Sequence, residues 1–305
     1  MGPAAPPERG VRPEALYYQA TLQEIHRILT AASSKKPADL GALPRITAGL
    51  ARALATGDDV LLQALEPGEP ELDLARHQVN VAVLAVKIGQ GAGAKEEELP
   101  WLALAGALHD VGMLAVPSAI LQKAGPLTQE ERLVVRGHPD AGFQMLRALG
   151  AGFEWLANVA AQEHERDDGS GYPRGLQGEQ IHDYAKIVGL ADTYEALTHS
   201  RPYRQTMPGT EVFKEIVLAE RRHFPDRILK GLLQGLSAVP IGSLVRLNTR
   251  EFARVVATNP TLPLRPVVEV VTSAKGEPLA RRRRVDLATT TLLYIMNPSA
   301  RRPKR

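Results

Sequence analysis

Leu99-Pro100-Trp101-Leu102-Ala103-Leu104-Ala105-Gly106-Ala107-Leu108-His109-Asp110 is the stretch on which the reading of this chain turns. The residues up to Leu108 carry no charge and are apolar nearly all round, which predicts a helix buried on every side. His109 and Asp110 then stand at the exit of a core helix. A buried carboxylate without a partner is costly, and a cation is the most economical partner for it. Further along, Glu163-His164-Glu165-Arg166-Asp167-Asp168-Gly169-Ser170-Gly171-Tyr172-Pro173 sets more imidazole and carboxylate groups beside a glycine-rich loop.

Other helical faces repeat the theme. The helix expected from about Glu71 turns Leu74, Val81, Leu84 and Ile88 inward, and the same face carries His77 and, one turn earlier, Asp73. Thr128 to Glu131 forms a capping box that opens a helix with the apolar stripe Val134, Ala141, Met145 and Leu149, on which His138 falls. Phe153, Leu156 and Ala160 lie on one row that reaches His164, with Glu163 beside it. Tyr184, Val188 and Ala191 define the inward side of another helix, bordered by Asp192. A single buried histidine or aspartate is usually a satisfied core residue. Five helices that each send such a group inward are not explained that way, because unpaired buried carboxylates are strongly destabilising. Periodicity alone does not show that the five converge.

Composition bounds the chemistry. The chain has 305 residues, 44% hydrophobic and 23% charged, which is ordinary for a globular protein. It has no cysteine, so disulfides, thiolate zinc sites and cysteine-ligated iron-sulfur clusters are excluded. Any metal must be held by Asp, Glu and the eight histidines. No stretch is long and apolar enough to span a bilayer, and the Pro-, Gly- and Arg-rich start does not read as a secretory signal, so a cytoplasmic location is expected. The net charge of +3 hides an asymmetry: residues 237–305 hold thirteen Lys and Arg against four acids. Such a basic tail could contact nucleic acid, an anionic membrane or another anion, or could simply be solubilising.

Three regions separate by pattern: a helical amino-terminal region over 1–66, a helical domain over 67–236 and a small basic β-rich unit with a tail over 237–305. The first shows helical periodicity in Leu22, Ile25, Leu29 and again in Ile46, Leu50, Leu54. It could dock a protein partner, support an oligomer, or pack on the adjacent domain. In the last, Ser243 to Leu247, Phe252 to Ala257, Pro266 to Thr272 and Thr290 to Ile295 read as short strands. The fold class is therefore mainly α, a helical bundle with an amino-terminal helical extension and a β-rich carboxy-terminal unit.

His109-Asp110, with His77 before it and Asp192 after it, resembles the HD metal-dependent phosphohydrolase superfamily. The wider set, His109-Asp110-Val111-Gly112, Pro117 to Lys123, Gly125-Pro126-Leu127-Thr128, His138-Pro139, His164-Glu165-Arg166, Asp168-Gly169-Ser170-Gly171-Tyr172-Pro173, Ala191-Asp192 and Arg201-Pro202-Tyr203-Arg204, resembles its HD-GYP subgroup. Members of that subgroup are bacterial phosphodiesterases that linearise cyclic di-GMP. The resemblance covers roughly residues 71–225. It implies an HD-type bundle, cyclic di-GMP as ligand, and two or three divalent ions, with iron or manganese expected and magnesium as an option. By position it implies Asp73, His77, His109, Asp110, His138, Glu163, His164 and Asp192 as metal ligands, with Asp110 bridging. It places Tyr172, Arg201, Arg204 and Met113 at substrate-contact positions, and Asp110, Arg201 and Arg204 in the catalytic machinery.

Three positions depart from the subgroup. Glu163 stands where a second histidine is usual, which adds negative charge and shifts preference toward harder cations. Met113 replaces a lysine expected to neutralise phosphate, and losing one charge-assisted contact costs about 1.5–3 kcal/mol. Asp167 replaces a common aromatic. The expected activity is hydrolysis of cyclic di-GMP to linear pGpG, with continuation to GMP open. The competing readings are a degenerate domain that binds a cyclic dinucleotide or a protein without turnover, and a phosphohydrolase for another nucleotide.

Overall fold

A computed structural model describes residues 15–34, 39–56, 59–65, 74–123, 125–198, 209–236, 239, 242–259, 262 and 265–297. Asp73, Arg201, Arg204 and the final cluster Arg301 to Arg305 lie outside the described residues.

Twelve helices are described: α1 Ala15–Ser33, α2 Leu43–Thr56, α3 Asp59–Leu65, α4 Leu74–Gly91, α5 Leu99–Leu108, α6 Ser118–Leu121, α7 Gln129–Val135, α8 His138–Arg147, α9 Glu154–Gln162, α10 Asp183–Thr198, α11 Gly209–Ala219 and α12 Asp226–Leu236. α5 has the expected limits, and Leu102 to Leu108 are all buried. It lies against α4, which is buried from Val79 to Val86 and also packs on α10 and α12. Gly106 permits the close approach of α4 and α5, since a Cβ there would run into the backbone of Ala82. The amino-terminal helices join the same core through Tyr18, Ile25, Ile28, Leu43, Leu50 and Leu54. No described helix is long and apolar enough to cross a membrane.

One expected helix is two. The chain breaks between α7 and α8, where Pro139 in the first turn of α8 has no N–H for a continuing ladder and its ring opposes one. The break resets the helical phase. Val134, Met145 and Leu149 are exposed, contrary to the stripe expected from periodicity, while His138, Pro139, Gly142 and Leu146 are buried. The Thr128 to Glu131 capping box is present, with Glu131 N donating to Thr128 Oγ1 and Thr128 N to Glu131 Oε2.

The carboxy-terminal unit is a five-stranded antiparallel sheet in the order β4-β3-β2-β1-β5, built from β1 Leu244–Leu247, β2 Phe252–Ala257, β3 Val267–Thr272, β4 Pro278–Asp286 and β5 Ile295–Asn297. Val245, Leu247, Ala253, Val255, Val268, Val270 and Leu287 form its own small core. β4 contains Arg281 to Arg284, a run without the apolar alternation of a strand. It forms an edge, where charge is tolerated because one side faces solvent, and Arg282 and Arg283 pair with Glu269 at 3.0 Å and Glu251 at 2.7 Å. The last expected strand also shifts. Thr290 to Leu293 is a turn closed by Leu293 N to Thr290 O, and pairing starts at Ile295.

Leu84 is fully buried on α4. Replacing it with alanine should lower stability by about 2–5 kcal/mol through lost transfer energy and the cavity left behind, measured by urea unfolding.

Candidate metal centre

The ends of four helices and one helix interior bring the chemistry together. α5 ends at His109, and Asp110 opens a 3-10 turn over Val111–Ala115. α8 starts at His138. α9 ends at Gln162, and Glu163 and His164 occupy the turn beyond it. Arg166 closes that turn by donating to the carbonyls of Glu163 and Glu165, both at 3.0 Å. His77 comes from α4 and Asp192 from α10.

Two clusters result. Ligand atoms of Asp110, His138, Glu163 and His164 lie within 4.8 Å of one another, as do those of His77, His109 and Asp192. Three histidines are anchored in the same way. Nδ1 of His77 meets Glu195 Oε2 at 2.8 Å, Nδ1 of His109 meets Gly106 O at 2.8 Å, and Nδ1 of His138 meets Val135 O at 2.7 Å. Each Nδ1–H therefore has an acceptor, and each Nε2 is aimed inward, the arrangement that orients a metal-binding imidazole.

The two clusters are joined by carboxylates. Asp110 Oδ1 lies 3.1 Å from His138 Nε2, while Oδ2 lies 3.6 Å from His77 Nε2 and 3.8 Å from His109 Nε2. Glu163, 1% exposed, does the same: Oε1 lies 3.3 Å from His138 Nε2 and Oε2 lies 3.6 Å from His109 Nε2. Among the described residues, no Lys or Arg is within ion-pair range of Asp110, Glu163 or Asp192; their close partners are histidines. His109 Nε2, Asp110 Oδ1 and Glu163 Oε2 are buried without a hydrogen bond. Buried donor atoms of both kinds, aimed at one another and left unsatisfied, fit a divalent cation.

Protons stand in for that charge otherwise. Burial pulls His138 down, but the carboxylates of Asp110 and Glu163 beside it outweigh burial and raise the imidazole to about 10. His77 is likewise raised well above its ordinary value, with burial opposed by Glu195, Asp110 and Asp192. Burial opposes ionisation of Asp110, yet His109, His138 and His77 hold it well below the usual carboxylate range.

Tyr172 stacks on His164, with ring centroids 4.6 Å apart, and Arg136 lies over the other part of this stack, 4.8 Å from the Tyr172 ring. Gly171 permits the loop to fold this tightly, because a Cβ there would strike the backbone of His164 to Arg166. Glu165 ties the loop down by accepting from Arg174 N at 2.7 Å and Leu176 N at 2.9 Å. Met113 is half-buried in the turn after Asp110.

Sequence reasoning missed Glu195, Asn80, Tyr18 and Arg136. Glu195 Oε1 accepts from Asn80 Nδ2 at 3.2 Å, and Asn80 Oδ1 accepts from Tyr18 Oη at 2.7 Å. This buried relay runs from α1 to His77. Glu195 had a visible signal, standing three residues after Asp192 on one helix face; Tyr18 had none, being 62 positions from its partner.

The HD domain family matches residues 63–228, more than half of the chain. The chain belongs to the HD-domain family. A KOW domain associated with HD domain matches residues 244–302, the span of the sheet. A cyclic di-GMP phosphodiesterase of Pseudomonas aeruginosa is 34% identical over 212 residues, 69% of this chain and 51% of that protein. A 3'3'-cGAMP-specific phosphodiesterase of Vibrio cholerae is 40% identical over 134 residues, 44% of this chain and 29% of that protein. The chain thus spans about half of the first relative's length and less of the second's. An HDG"Y"P protein from Bdellovibrio bacteriovorus superposes with a TM-score of 0.61 at 16% identity, covering 74% of this chain and 73% of its own, which shows a shared fold.

Two outcomes are expected of the HD domain. His138, raised to about 10, is protonated at pH 8 in the absence of metal, so loading Mn2+ there should release protons; calorimetric titration in buffers of different ionisation enthalpy measures this. Because the His138 value is raised, its contribution to metal-free stability is complete below about pH 6.5 and is lost as pH rises through about 10. Second, Glu195→Gln should weaken Mn2+ binding about 10- to 100-fold, and Tyr18→Phe should weaken it less, both read by equilibrium dialysis.

Proposed function

We propose that this chain is a metal-dependent phosphodiesterase that opens cyclic di-GMP to linear pGpG. The observation that carries the reading is the pair of carboxylates, Asp110 and Glu163, each presenting its two oxygens to separate histidine clusters. His77, His109 and Asp192 would hold one divalent ion, and His138 and His164 a second, with Asp110 and Glu163 shared between them. Glu163 in this reading is a second bridge where the subgroup has a histidine. The added oxygen favours manganese, iron or magnesium over softer ions.

Divalent ions in such a centre lower the pKa of water and neutralise charge on phosphate oxygens. The protein's own groups supply position. Asp110 and Glu163 would help to hold the ions, and Glu195 and the carbonyls of Gly106 and Val135 keep the imidazoles turned inward. Tyr172, fixed on His164, offers a ring edge to a guanine base at the rim. Arg136, beside Tyr172, is a described cation in a position to meet a phosphate in place of the lysine that Met113 lacks. Arg201 and Arg204 are proposed to add to this clamp on the strength of the resemblance.

The similarity to a 3'3'-cGAMP-specific phosphodiesterase supports a second cyclic dinucleotide as the alternative substrate. Purified protein loaded with Mn2+ or Fe2+ is expected to convert cyclic di-GMP to the linear dinucleotide, resolved by chromatography. Asp110→Asn should abolish turnover, and Met113→Lys should raise it about ten- to a hundredfold. Binding without product under both metals would overturn the enzymatic reading in favour of a receptor, and faster cleavage of 3'3'-cGAMP would replace the substrate.

A further inference from the structure

A cavity of about 670 Å³ lies outside both histidine clusters and shares no residue with them. Trp101, Trp155 and Tyr184 form its aromatic wall and Glu98, Glu179 and Asp183 its carboxylates. Successive rings meet nearly at right angles, Trp101 with Trp155 at 5.6 Å and 81°, and Trp155 with Tyr184 at 6.3 Å and 86°. The three rings of the lining thus lie in differently inclined planes. Trp101 remains 48% exposed.

The electrostatics select one sign. Lys186, the cation of the lining, is turned to Asp167 at 3.1 Å. His182 accepts from Tyr184 N through Nδ1, and burial lowers its pKa, so it is neutral at pH 7. Against these stand three carboxylates. Glu98 accepts from Tyr184 Oη at 3.3 Å and Asp183 pairs with Arg227 at 2.9 Å, while both stand at helix starts, where acids complement the dipole. Glu179 stands in the first turn of a short 3-10 helix and shares that role, which does not account for the aromatic wall. A nucleotide phosphate would be repelled here, so the cavity is not an extension of the proposed substrate site.

We propose that this cavity is a second ligand site, one that takes an organic cation with an ammonium or guanidinium head. The head group sits against the faces of Trp101, Trp155 and Tyr184, where the negative quadrupole attracts positive charge, and the carboxylates of Glu98, Glu179 and Asp183 complete the shell. The volume suits a small molecule or one side chain of a peptide. Position gives the site its interest. Trp101 precedes His109 by eight residues, Trp155 precedes Glu163 by eight and Tyr184 precedes Asp192 by eight, so α5, α9 and α10 each carry an aromatic wall residue at one end and a candidate ligand about 12 Å along the axis.

The chain has two tryptophans, and both line this cavity. Intrinsic fluorescence therefore reports on it directly, with no metal and no substrate required. Titration with choline, agmatine and a short arginine-containing peptide is compared with 3,3-dimethylbutanol, the uncharged isostere of choline. A saturable change with at least one cation, about tenfold tighter than with the isostere, is expected from a cation-π site. Trp101→Leu, read through Trp155, should weaken it about tenfold, and Glu179→Gln should weaken it less and in a salt-dependent way. Saturation by choline or agmatine makes the ligand a small amine; saturation by the peptide alone makes it a protein segment. Equal binding of the isostere, or no saturation by any cation up to about 10 mM, overturns the proposal. Unchanged metal content of Trp101→Leu, by elemental analysis, shows that the variant is folded.

Discussion

Three carboxylates enclosed by a helical bundle with only imidazoles beside them impose the condition on which the rest of this structure depends. Asp110, Glu163 and Asp192 find no Lys or Arg within ion-pair range among the described residues. Burying ionised carboxylates demands an opposite charge nearby. Protons on His77 and His138 meet that demand in part, and divalent ions meet it with a geometry that protons lack. The surrounding architecture serves to hold donor atoms in place against this repulsion: a core helix that stops at His109, a proline-bounded helix that starts at His138, and an arginine that closes the turn at Glu163.

The departure at Glu163 changes character in this setting. A carboxylate in place of an imidazole has two donor atoms instead of one, and here the two face different histidines, 3.3 Å and 3.6 Å away. In the proposed centre Glu163 would therefore still ligate, with an oxygen toward each cluster. The lysine that the resemblance places at Met113 is a separate matter, and Arg136, held over Tyr172, is the group proposed to compensate it.

Support for the centre reaches well beyond its own motif. Tyr18, Asn80 and Glu195 connect the first helix to the ring of His77 through successive buried hydrogen bonds. The amino-terminal helices are consequently part of the same packed body as the centre, sharing its hydrophobic core. Away from the centre, α5, α9 and the start of α10 also line an acidic aromatic cavity, so the same three helices carry two separate sites of negative character.

Much of the fold was legible in the linear chain because its signals are local. The limits of α5 follow from an uncharged apolar run, the capping box of α7 from two residues three apart, and β1 to β3 from alternation bounded by turn residues. The candidate ligands were legible as residue types on inward faces, although Asp73, Arg201 and Arg204 fall outside the described residues. Other features needed the third dimension. The run Arg281 to Arg284 forms a strand because an edge position leaves its charges in solvent and β3 supplies the pairing, and Val134, Met145 and Leu149 are exposed, unlike His138 on the same expected stripe, because the helix breaks before Pro139. By itself, the amino-acid order determined which groups could bind a cation and which helices would be buried. Their convergence, the double-faced placement of Asp110 and Glu163 and the relay from Tyr18 were decided by tertiary packing, since ligation and long-range hydrogen bonding depend on distances of a few ångströms between residues far apart in the chain.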